Sequence, residues 1–147
     1  MIKIAIASEP RLLNVLRGVV KFCAHNAGLP ESETEYLALA IDEAAANIIR
    51  HTYCSRHDEL ISLEVRCLPD RLEFILEDFG PKVREDLIRP RPLDELRPGG
   101  LGTFFIYSFM DKCSYDPEFK DGNRLKLVKF LKRKGACYNE GSSPVSG

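Results

Sequence analysis

The chain has 147 residues, of which 44% are hydrophobic and 29% are charged, and this length and composition fit one domain with its own core. A formal net charge of −1 provides no overall positive excess for nucleic acid or an anionic membrane, although a local basic patch would not alter this average. No apolar run approaches the roughly 20 residues of a membrane-spanning helix. The first residues also lack the features of a secretory signal. We therefore expect a cytoplasmic protein without membrane or direct nucleic-acid partners.

Five cysteines are scattered singly along the chain, without a CxxC pair or a histidine and cysteine cluster at zinc spacing. Such a set is typical of reduced thiols, several of them buried, and nothing local marks one thiol as an activated nucleophile. They are Cys23, Cys54, Cys67, Cys113 and Cys137.

The first half of the chain predicts one strand followed by two helices. Residues 2–7, IKIAIA, alternate as in a short strand. The next stretch has apolar residues at a helical period, and Gly28 follows it as a stop signal. Ser32 and Glu35 have the spacing of a capping box, so a second helix is predicted to begin at Ser32 and to run to about Tyr53.

The following residues predict a hairpin and then a long irregular segment. Residues 59–68 and 71–78 alternate as strands, and the connector Pro69-Asp70 is typical of a tight turn. Residues 79–100 contain four prolines and three glycines, which interrupt every periodic pattern. A loop of this length inside a compact domain is usually either functional or disordered.

The last third predicts a third helix over 101–112, a weak strand after it, and an alternating strand over 123–134. We expect one domain over residues 1–134 and a disordered tail over residues 135–147, which are mostly small and polar. The predicted fold is α+β, a two-layer sandwich whose mixed, mainly antiparallel sheet is covered on one face by about three helices.

Polar side chains lie along one border of the second predicted helix. At about 100° per residue its apolar residues share the side that must face the sheet. Glu43, Asn47 and His51 follow one another at one-turn intervals along the edge of that side, where they would wall a cavity between helix and sheet. An isolated E-x-x-x-N pattern is more often the exposed edge of an amphipathic helix. The apolar residues are Leu37, Ala40, Ile41, Ala44 and Ile48.

Two glycine-containing motifs follow this helix. Asp78 can accept a hydrogen bond where the second hairpin strand ends, and Gly80 would let a flat ligand approach the backbone; alone, the pair is more often a simple turn. Gly99, Gly100 and Gly102 lead into the third predicted helix, whose free N–H groups would attract an anion. A flexible hinge is the ordinary alternative, and no Walker A pattern occurs.

The order and spacing of these motifs resemble the Bergerat ATP-binding fold of gyrase-type ATPases, histidine kinases and anti-sigma serine kinases. The resemblance covers about residues 1–134 and is greatest to the anti-sigma factor serine/threonine kinases. AIDEAAANIIRHTY resembles the N-box of that family, and GGLGTFFIYSFMDKCSY resembles the helix after its ATP lid. GNRLKLVKFLK is similar to the closing strand of the family.

The resemblance implies a role for each motif. Glu43 would be the general base that takes the proton of the attacking hydroxyl, and Asn47 would bind Mg²⁺ through its side-chain oxygen. Asp78 would accept a hydrogen bond from the amino group of adenine, and Gly80 would leave room for the ring. The other positions implied to contact ATP, with Gly100 and Gly102 donating to its phosphates, are Arg50, His51, Gly99, Gly100, Leu101, Gly102 and Thr103.

Two departures from the family concern the predicted lid. Many relatives carry a glycine two residues after D-x-G, where this chain has Lys82, so lid opening or adenine placement is expected to differ. Residues 81–100 are rich in proline and arginine. Lid behaviour is therefore not carried over from the family. Because four prolines deny this segment regular hydrogen bonding and its terminal glycines can rearrange around phosphates, we expect it to be mobile without nucleotide and protected when nucleotide binds.

Three functions from different classes fit these residues. The first is a protein serine/threonine kinase that uses ATP and Mg²⁺, phosphorylates a small anti-sigma antagonist (STAS-type) protein and sequesters a sigma factor or an analogous regulator. By resemblance it would be a homodimer. The second is a nucleotide-binding regulatory module that sequesters its partner without transferring phosphate. The third is the ATPase domain of a histidine kinase-like regulator, which Glu43 disfavours because histidine kinases typically carry asparagine there.

Overall fold

The computed structural model describes residues 1–83, 106 and 108–132. Within them the chain forms an antiparallel sheet of five strands in the order β1-β2-β3-β5-β4, with two helices packed against one face. The helices are α1, Leu13–Asn26, after a short 3-10 turn Pro10–Leu12, and α2, Glu31–Asn47, which continues as a π-helical turn Ile48–Thr52. The strands are β1, Ile2–Ala7; β2, Leu60–Cys67; β3, Arg71–Asp78; β4, Lys112–Tyr115; and β5, Asn123–Phe130.

The predicted hairpin forms the centre of the sheet. The strands β2 and β3 pair antiparallel around the Pro69-Asp70 connector, and the backbone N–H of Leu68 donates to the carbonyl of Arg71 across the turn at 2.9 Å. On its other edge β3 pairs with β5 in a register that places Asp78 opposite Asn123. The register matters for function because residues directly opposite each other in an antiparallel pair share one face of the sheet.

The core lies between this sheet and the two helices. Leu16 and Val20 of α1 are fully buried there, as are Leu63 of β2 and Phe74 of β3. The predicted apolar side of α2 is confirmed, because each of its members is at most 8% exposed. Burying each leucine or isoleucine of this side contributes about 1.5–3 kcal/mol to stability. The apolar side of α2 therefore holds the helix against the sheet. Its members are Leu37, Ala40, Ile41, Ala44 and Ile48.

The predicted N-cap of α2, Ser32, is wrong, whereas the predicted end of the helical segment near Tyr53 is confirmed. The helix begins at Glu31 with Pro30 as the N-cap, so Ser32 lies inside the first turn and no side chain caps the helix. The carbonyl of Pro30 accepts the N–H of Thr34 at 2.9 Å, which closes the first turn before the capping pattern begins. At the other end Tyr53 donates to the carbonyl of Ile48 at 2.8 Å, the i to i+5 spacing of a π-helical turn.

The α+β prediction is confirmed, with two differences. All four strand pairings are antiparallel, and the described residues contain two helices on the sheet instead of about three. Of the third predicted helix, Ile106, Ser108 and Phe109 are helical, and Met110 donates to the carbonyl of Ile106 at 2.9 Å. The remainder of that helix, the loop from residue 84 onward and the tail over 135–147 lie outside the described residues.

The cysteines of the described residues are free thiols, as predicted. Burial raises the pKa of Cys23 to about 11, with a further contribution from neighbouring Cys67, and burial alone raises the pKa of Cys113 to about 11. Both therefore remain protonated at neutral pH and are poor nucleophiles. Cys137 lies outside the described residues. Neither described helix is long and apolar enough to cross a membrane.

The sheet face opposite the helices carries an ion-pair cluster centred on Glu73. Its side chain is 6% exposed; Arg71 Nε donates to it at 2.8 Å, and nitrogens of Lys126 and Arg66 lie 3.4 and 3.9 Å from its carboxylate. The hydrogen bond from Arg71 is the main reason that the pKa of Glu73 lies below its ordinary value. The charged form of Glu73 is therefore stabilised by folding.

We expect the Glu73 cluster to make stability depend on pH. Because the folded state lowers this pKa, the contribution is complete above the ordinary glutamate pKa and is lost as the pH falls through the folded-state value. Glu73→Gln should cost about 1 kcal/mol at pH 7 and should make the decline in acid less steep. Urea unfolding at neutral and acidic pH measures both, with Glu118→Gln, an exposed position, as the control. Parallel pH curves for Glu73→Gln and wild type would contradict this.

Candidate functional site

The polar border of α2 is organised by one arginine. Arg50 Nη2 donates to Glu43 Oε1 at 2.9 Å and to Asn47 Oδ1 at 2.8 Å, so a single guanidinium group holds both oxygens. The Arg50 side chain is 47% exposed and that of Glu43 is 25% exposed. The helical turns place all three groups on one side because residues three and four apart are neighbours on a helix. His51 is exposed on the π-helical turn.

This arrangement fits a hard cation. A carboxylate oxygen and an amide carbonyl oxygen are ligands that Mg²⁺ accepts, and both already face the positive charge of Arg50. No three histidine, cysteine, aspartate or glutamate side chains within the described residues gather into a metal site. An ion held by Asn47 would therefore take most of its ligands from water and from a bound phosphate chain, as is usual for Mg²⁺.

A second cluster surrounds Asp78 at the end of β3. Its carboxylate accepts hydrogen bonds from the backbone N–H of Gly80 at 3.0 Å and from Asn123 Nδ2 at 2.9 Å. Asp78 is 2% exposed, and this burial raises its pKa above the ordinary value, while hydrogen bonds from the side chain of Asn123 and from the backbone of Gly80 and Asn123, and the charge of Lys82, act in the opposite direction. A buried carboxylate of this kind is a strong hydrogen-bond acceptor.

The two clusters are joined where the π-helical turn meets the segment after β3. The hydroxyl of Tyr53 donates to the carbonyl of Leu60 and accepts the backbone N–H of Phe79 at 2.8 Å. Burial raises the pKa of Tyr53, so its phenol keeps the proton that it donates. A Cβ atom on Gly80 would lie 2.4 Å from Thr52 Cγ2. The close packing against Thr52 therefore favours glycine at position 80, independently of any ligand.

Lys82 lies two residues after the glycine of the D-x-G motif. Its ammonium group donates to the carbonyl of Phe119 and lies 6.0 Å from the centroid of the Phe119 ring. Phe119 also contacts the ring of Phe79, with centroids 6.2 Å apart. Lys82 thus ties the segment after β3 to the connection between β4 and β5 through Phe119, a contact that glycine could not make.

The structure unites five of the predicted site residues in two neighbouring clusters, and it adds residues that the sequence patterns did not indicate. The glycine-rich motif cannot be compared, because Gly99, Gly100, Leu101, Gly102 and Thr103 lie outside the described residues. The additional residues are Asn123, Thr52 and Tyr53. Only Asn123 had a usable signal: it begins a strand face that continues with Leu125 and Leu127, directly after Gly122.

Comparison with known proteins places this arrangement in context. Residues 6–129 match the family of the histidine kinase-like ATPase domain. The chain is similar to Serine-protein kinase RsbW of Halalkalibacterium halodurans, at 29% identity over 142 residues, covering 90% of this chain and 84% of the relative. It is also similar to the proteins of that name from Bacillus pumilus, 29% identical with 91% and 88% covered, and Bacillus subtilis, 28% identical with 88% and 85% covered.

We expect Gly80→Ala to destabilise the junction between the two clusters. The added methyl would collide with Cγ2 of Thr52, a β-branched side chain with little freedom to move away, at a cost of about 1–3 kcal/mol. Thr52→Ser removes that methyl and should recover most of the loss in the double variant. Urea unfolding of the four proteins measures the coupling.

Gly18→Ala is the matched control, because a Cβ atom at this helical position meets nothing within 4 Å. It should be neutral or stabilising by up to about 1 kcal/mol. Additive effects of Gly80→Ala and Thr52→Ser would show that the close approach does not determine the choice of glycine.

Proposed function

Because the chain belongs to the histidine kinase-like ATPase domain family, we propose that it is an ATP-dependent protein serine/threonine kinase acting as an anti-sigma-type regulator. It would transfer the γ-phosphate of ATP to a serine or threonine of a small STAS-type antagonist protein and would sequester a sigma factor or an analogous partner. Three similar proteins named as serine-protein kinases support a protein as the phosphate acceptor. The observation that carries the proposal is the pair of oxygens on Glu43 and Asn47 within reach of one cation.

The proposed roles follow from the two clusters. Asp78 accepts a hydrogen bond from the amino group of adenine, and Asn47 would hold Mg²⁺, which would supply positive charge to neutralise the phosphates. Glu43 takes the proton of the acceptor hydroxyl while the hydroxyl oxygen forms a bond to the γ-phosphorus. The bond from that phosphorus to the bridging oxygen breaks, and ADP leaves with the electron pair.

Arg50 must move for this chemistry to occur. It occupies the oxygens of both Glu43 and Asn47, and its side chain is 47% exposed, so it is free to turn toward solvent. In the proposed complex Arg50 and His51 contact ATP, together with Gly99, Gly100, Leu101, Gly102 and Thr103, and Gly100 and Gly102 donate to its phosphates. We further propose an ATP-binding domain over residues 1–134, a separate tail over 135–147, a cytoplasmic location and a homodimer.

One observation favours a second candidate, a nucleotide-binding regulatory module without kinase activity. The contact between Arg50 and Glu43 would keep the carboxylate from acting as a base if nucleotide binding did not break it. Such a protein would bind ATP and sequester its partner while leaving that partner unmodified.

Incubation with ATP, Mg²⁺ and candidate antagonist proteins distinguishes the two candidates. A kinase adds the mass of one phosphate to the correct partner, measured by intact-protein mass spectrometry, whereas a sequestering module adds none. Calorimetry with ATP and ADP, each with Mg²⁺ present, provides the prior test. No heat with either nucleotide would contradict both candidates.

We expect Glu43→Gln to preserve binding and to remove most of the catalysis. Glutamine keeps the shape and a hydrogen-bonding group but is not a base, so nucleotide affinity and melting temperature should change little. Phosphoryl transfer should slow by roughly 10²–10⁴-fold, the usual effect of losing a general base. Glu35→Gln is the matched control, since Glu35 is an exposed glutamate of α2 that pairs with Lys21 at 2.9 Å. Full activity in Glu43→Gln would disprove this mechanism.

Asn47→Ala should behave differently, because Asn47 is proposed to hold a Mg²⁺ ion that would neutralise charge on the phosphates. We expect it to weaken Mg²⁺-dependent nucleotide binding and to abolish transfer together, while binding measured with EDTA in place of Mg²⁺ stays close to wild type. Calorimetry with and without Mg²⁺ separates the two effects. Equal losses under both conditions would place Asn47 in the fold or in direct contact with nucleotide.

A further inference from the structure

Asn123, beside Asp78, makes three hydrogen bonds through its side-chain amide. It is 4% exposed, and its amide NH₂ group donates to Asp78 Oδ1 at 2.9 Å and to the carbonyl of Pro81 at 2.8 Å. Its Oδ1 accepts the backbone N–H of Val83 at 2.8 Å. Both donor hydrogens are therefore in use, and the side chain has one orientation that satisfies all three contacts.

Backbone packing gives Asn123 little freedom to leave this position. It stands directly opposite Asp78 in the β3 and β5 register. A Cβ atom on the preceding residue, Gly122, would lie 2.0 Å from the carbonyl oxygen of Asp78 and 2.6 Å from Phe79 Cα. The start of β5 is thus pressed against the end of β3, and the Asn123 amide reaches the Asp78 carboxylate without further adjustment.

The Asp78 carboxylate has room for one more donor. An ionised carboxylate offers about four lone-pair sites. Hydrogen bonds from the side chain and backbone of Asn123 and from the backbone of Gly80 account for three of the contacts to this group. A carboxylate constrained in this way keeps a fixed orientation and retains acceptor capacity for one further donor.

We propose that Asn123 is a positioning residue that fixes Asp78 as an acceptor and thereby selects adenine over guanine. The inference rests on the proposed nucleotide binding and names the residue that determines its base preference. The edge of adenine carries an amino donor where guanine carries a carbonyl acceptor. An ionised Asp78 accepts from the first and repels the second, and a site built for one hydrogen-bond pattern rejects the other because its buried group is left unpaired.

The protonation state of Asp78 supports the same role. Burial raises the pKa of this carboxyl group, and the hydrogen bond from Asn123 is the largest of the effects that lower it, followed by the hydrogen bond from Gly80 and the charge of Lys82. Without Asn123 the carboxyl group would take up a proton more readily. A protonated carboxyl group donates as well as accepts, so it would tolerate the guanine carbonyl.

The test compares the affinity of the full chain for ATP, GTP and inorganic tripolyphosphate by calorimetry with Mg²⁺ present. Asn123→Leu keeps similar bulk without a donor, and Asn123→Thr keeps one donor in a residue that suits a strand. We expect wild type to prefer ATP. The ATP-to-GTP affinity ratio should fall by about tenfold or more in Asn123→Leu and by less in Asn123→Thr, while tripolyphosphate affinity stays unchanged.

Asn14→Thr, at an exposed position of α1, is the control and should leave all three affinities unchanged. A variant that loses tripolyphosphate binding has lost its fold, and the decision then rests on Asn123→Thr, the more conservative change. An unchanged ATP-to-GTP ratio in a folded Asn123 variant, or no preference for ATP in wild type, overturns this inference and leaves nucleotide binding intact. Wild-type protein that binds none of the three ligands overturns the proposed function instead.

Discussion

The contact between the π-helical turn and the segment after β3 is the constraint on which the site depends. Thr52 and Tyr53 end the long helical segment, and Phe79 and Gly80 end the central hairpin. The Tyr53 hydroxyl binds the backbone of both β2 and the Phe79 turn, so the helix cannot shift along the sheet without breaking these bonds. Glu43, Asn47 and Arg50 lie on the helical side of this contact, and Asp78 lies on the strand side. The contact therefore sets the distance between the two clusters.

The π-helical turn is the local feature that makes this contact possible. A π-helical turn adds a residue to each hydrogen-bonded ring and so changes the direction of the side chains that follow. Asn47 still belongs to the regular helix, whereas Arg50 and Thr52 belong to the widened turn. Arg50 can therefore reach back to Asn47 and Glu43 while Thr52 faces Gly80. π-helical turns are often found at functional sites, and here one connects two parts of a site.

Burial divides the polar groups of the site into two kinds. Glu43 and Arg50 are partly exposed, so their attraction is weakened by solvent and the pair can open at little cost. Asp78 and Asn123 are almost fully buried, where an unmade hydrogen bond is expensive. The exposed pair thus suits groups that must exchange partners during a reaction, and the buried pair suits groups that must hold one arrangement while a ligand enters and leaves.

Features that arise within one element or between adjacent elements were predictable from the amino-acid sequence. Alternation predicted β1, β2, β3 and β5, and helical spacing predicted both the buried side of α2 and the neighbouring positions of Glu43 and Asn47. These follow from periodicity, because spacing along a helix or strand decides which side chains are neighbours. The D-x-G motif at the end of β3 was readable for the same reason, as a turn immediately after a strand.

Contacts between residues that are distant in sequence were visible only in the folded structure. The strand order is one example. Two others are the packing of Thr52 on Gly80, 28 positions apart, and the hydrogen bond from Asn123 to Asp78, 45 positions apart. No local pattern records such pairs, because their contact depends on strand register and on how closely two backbones approach. The start of α2 at Glu31 also departed from its capping pattern, since the carbonyl of Pro30 closed the first turn earlier. Short-range spacing therefore identified the candidate catalytic residues, and long-range packing identified the residues that hold the Asp78 carboxylate in place.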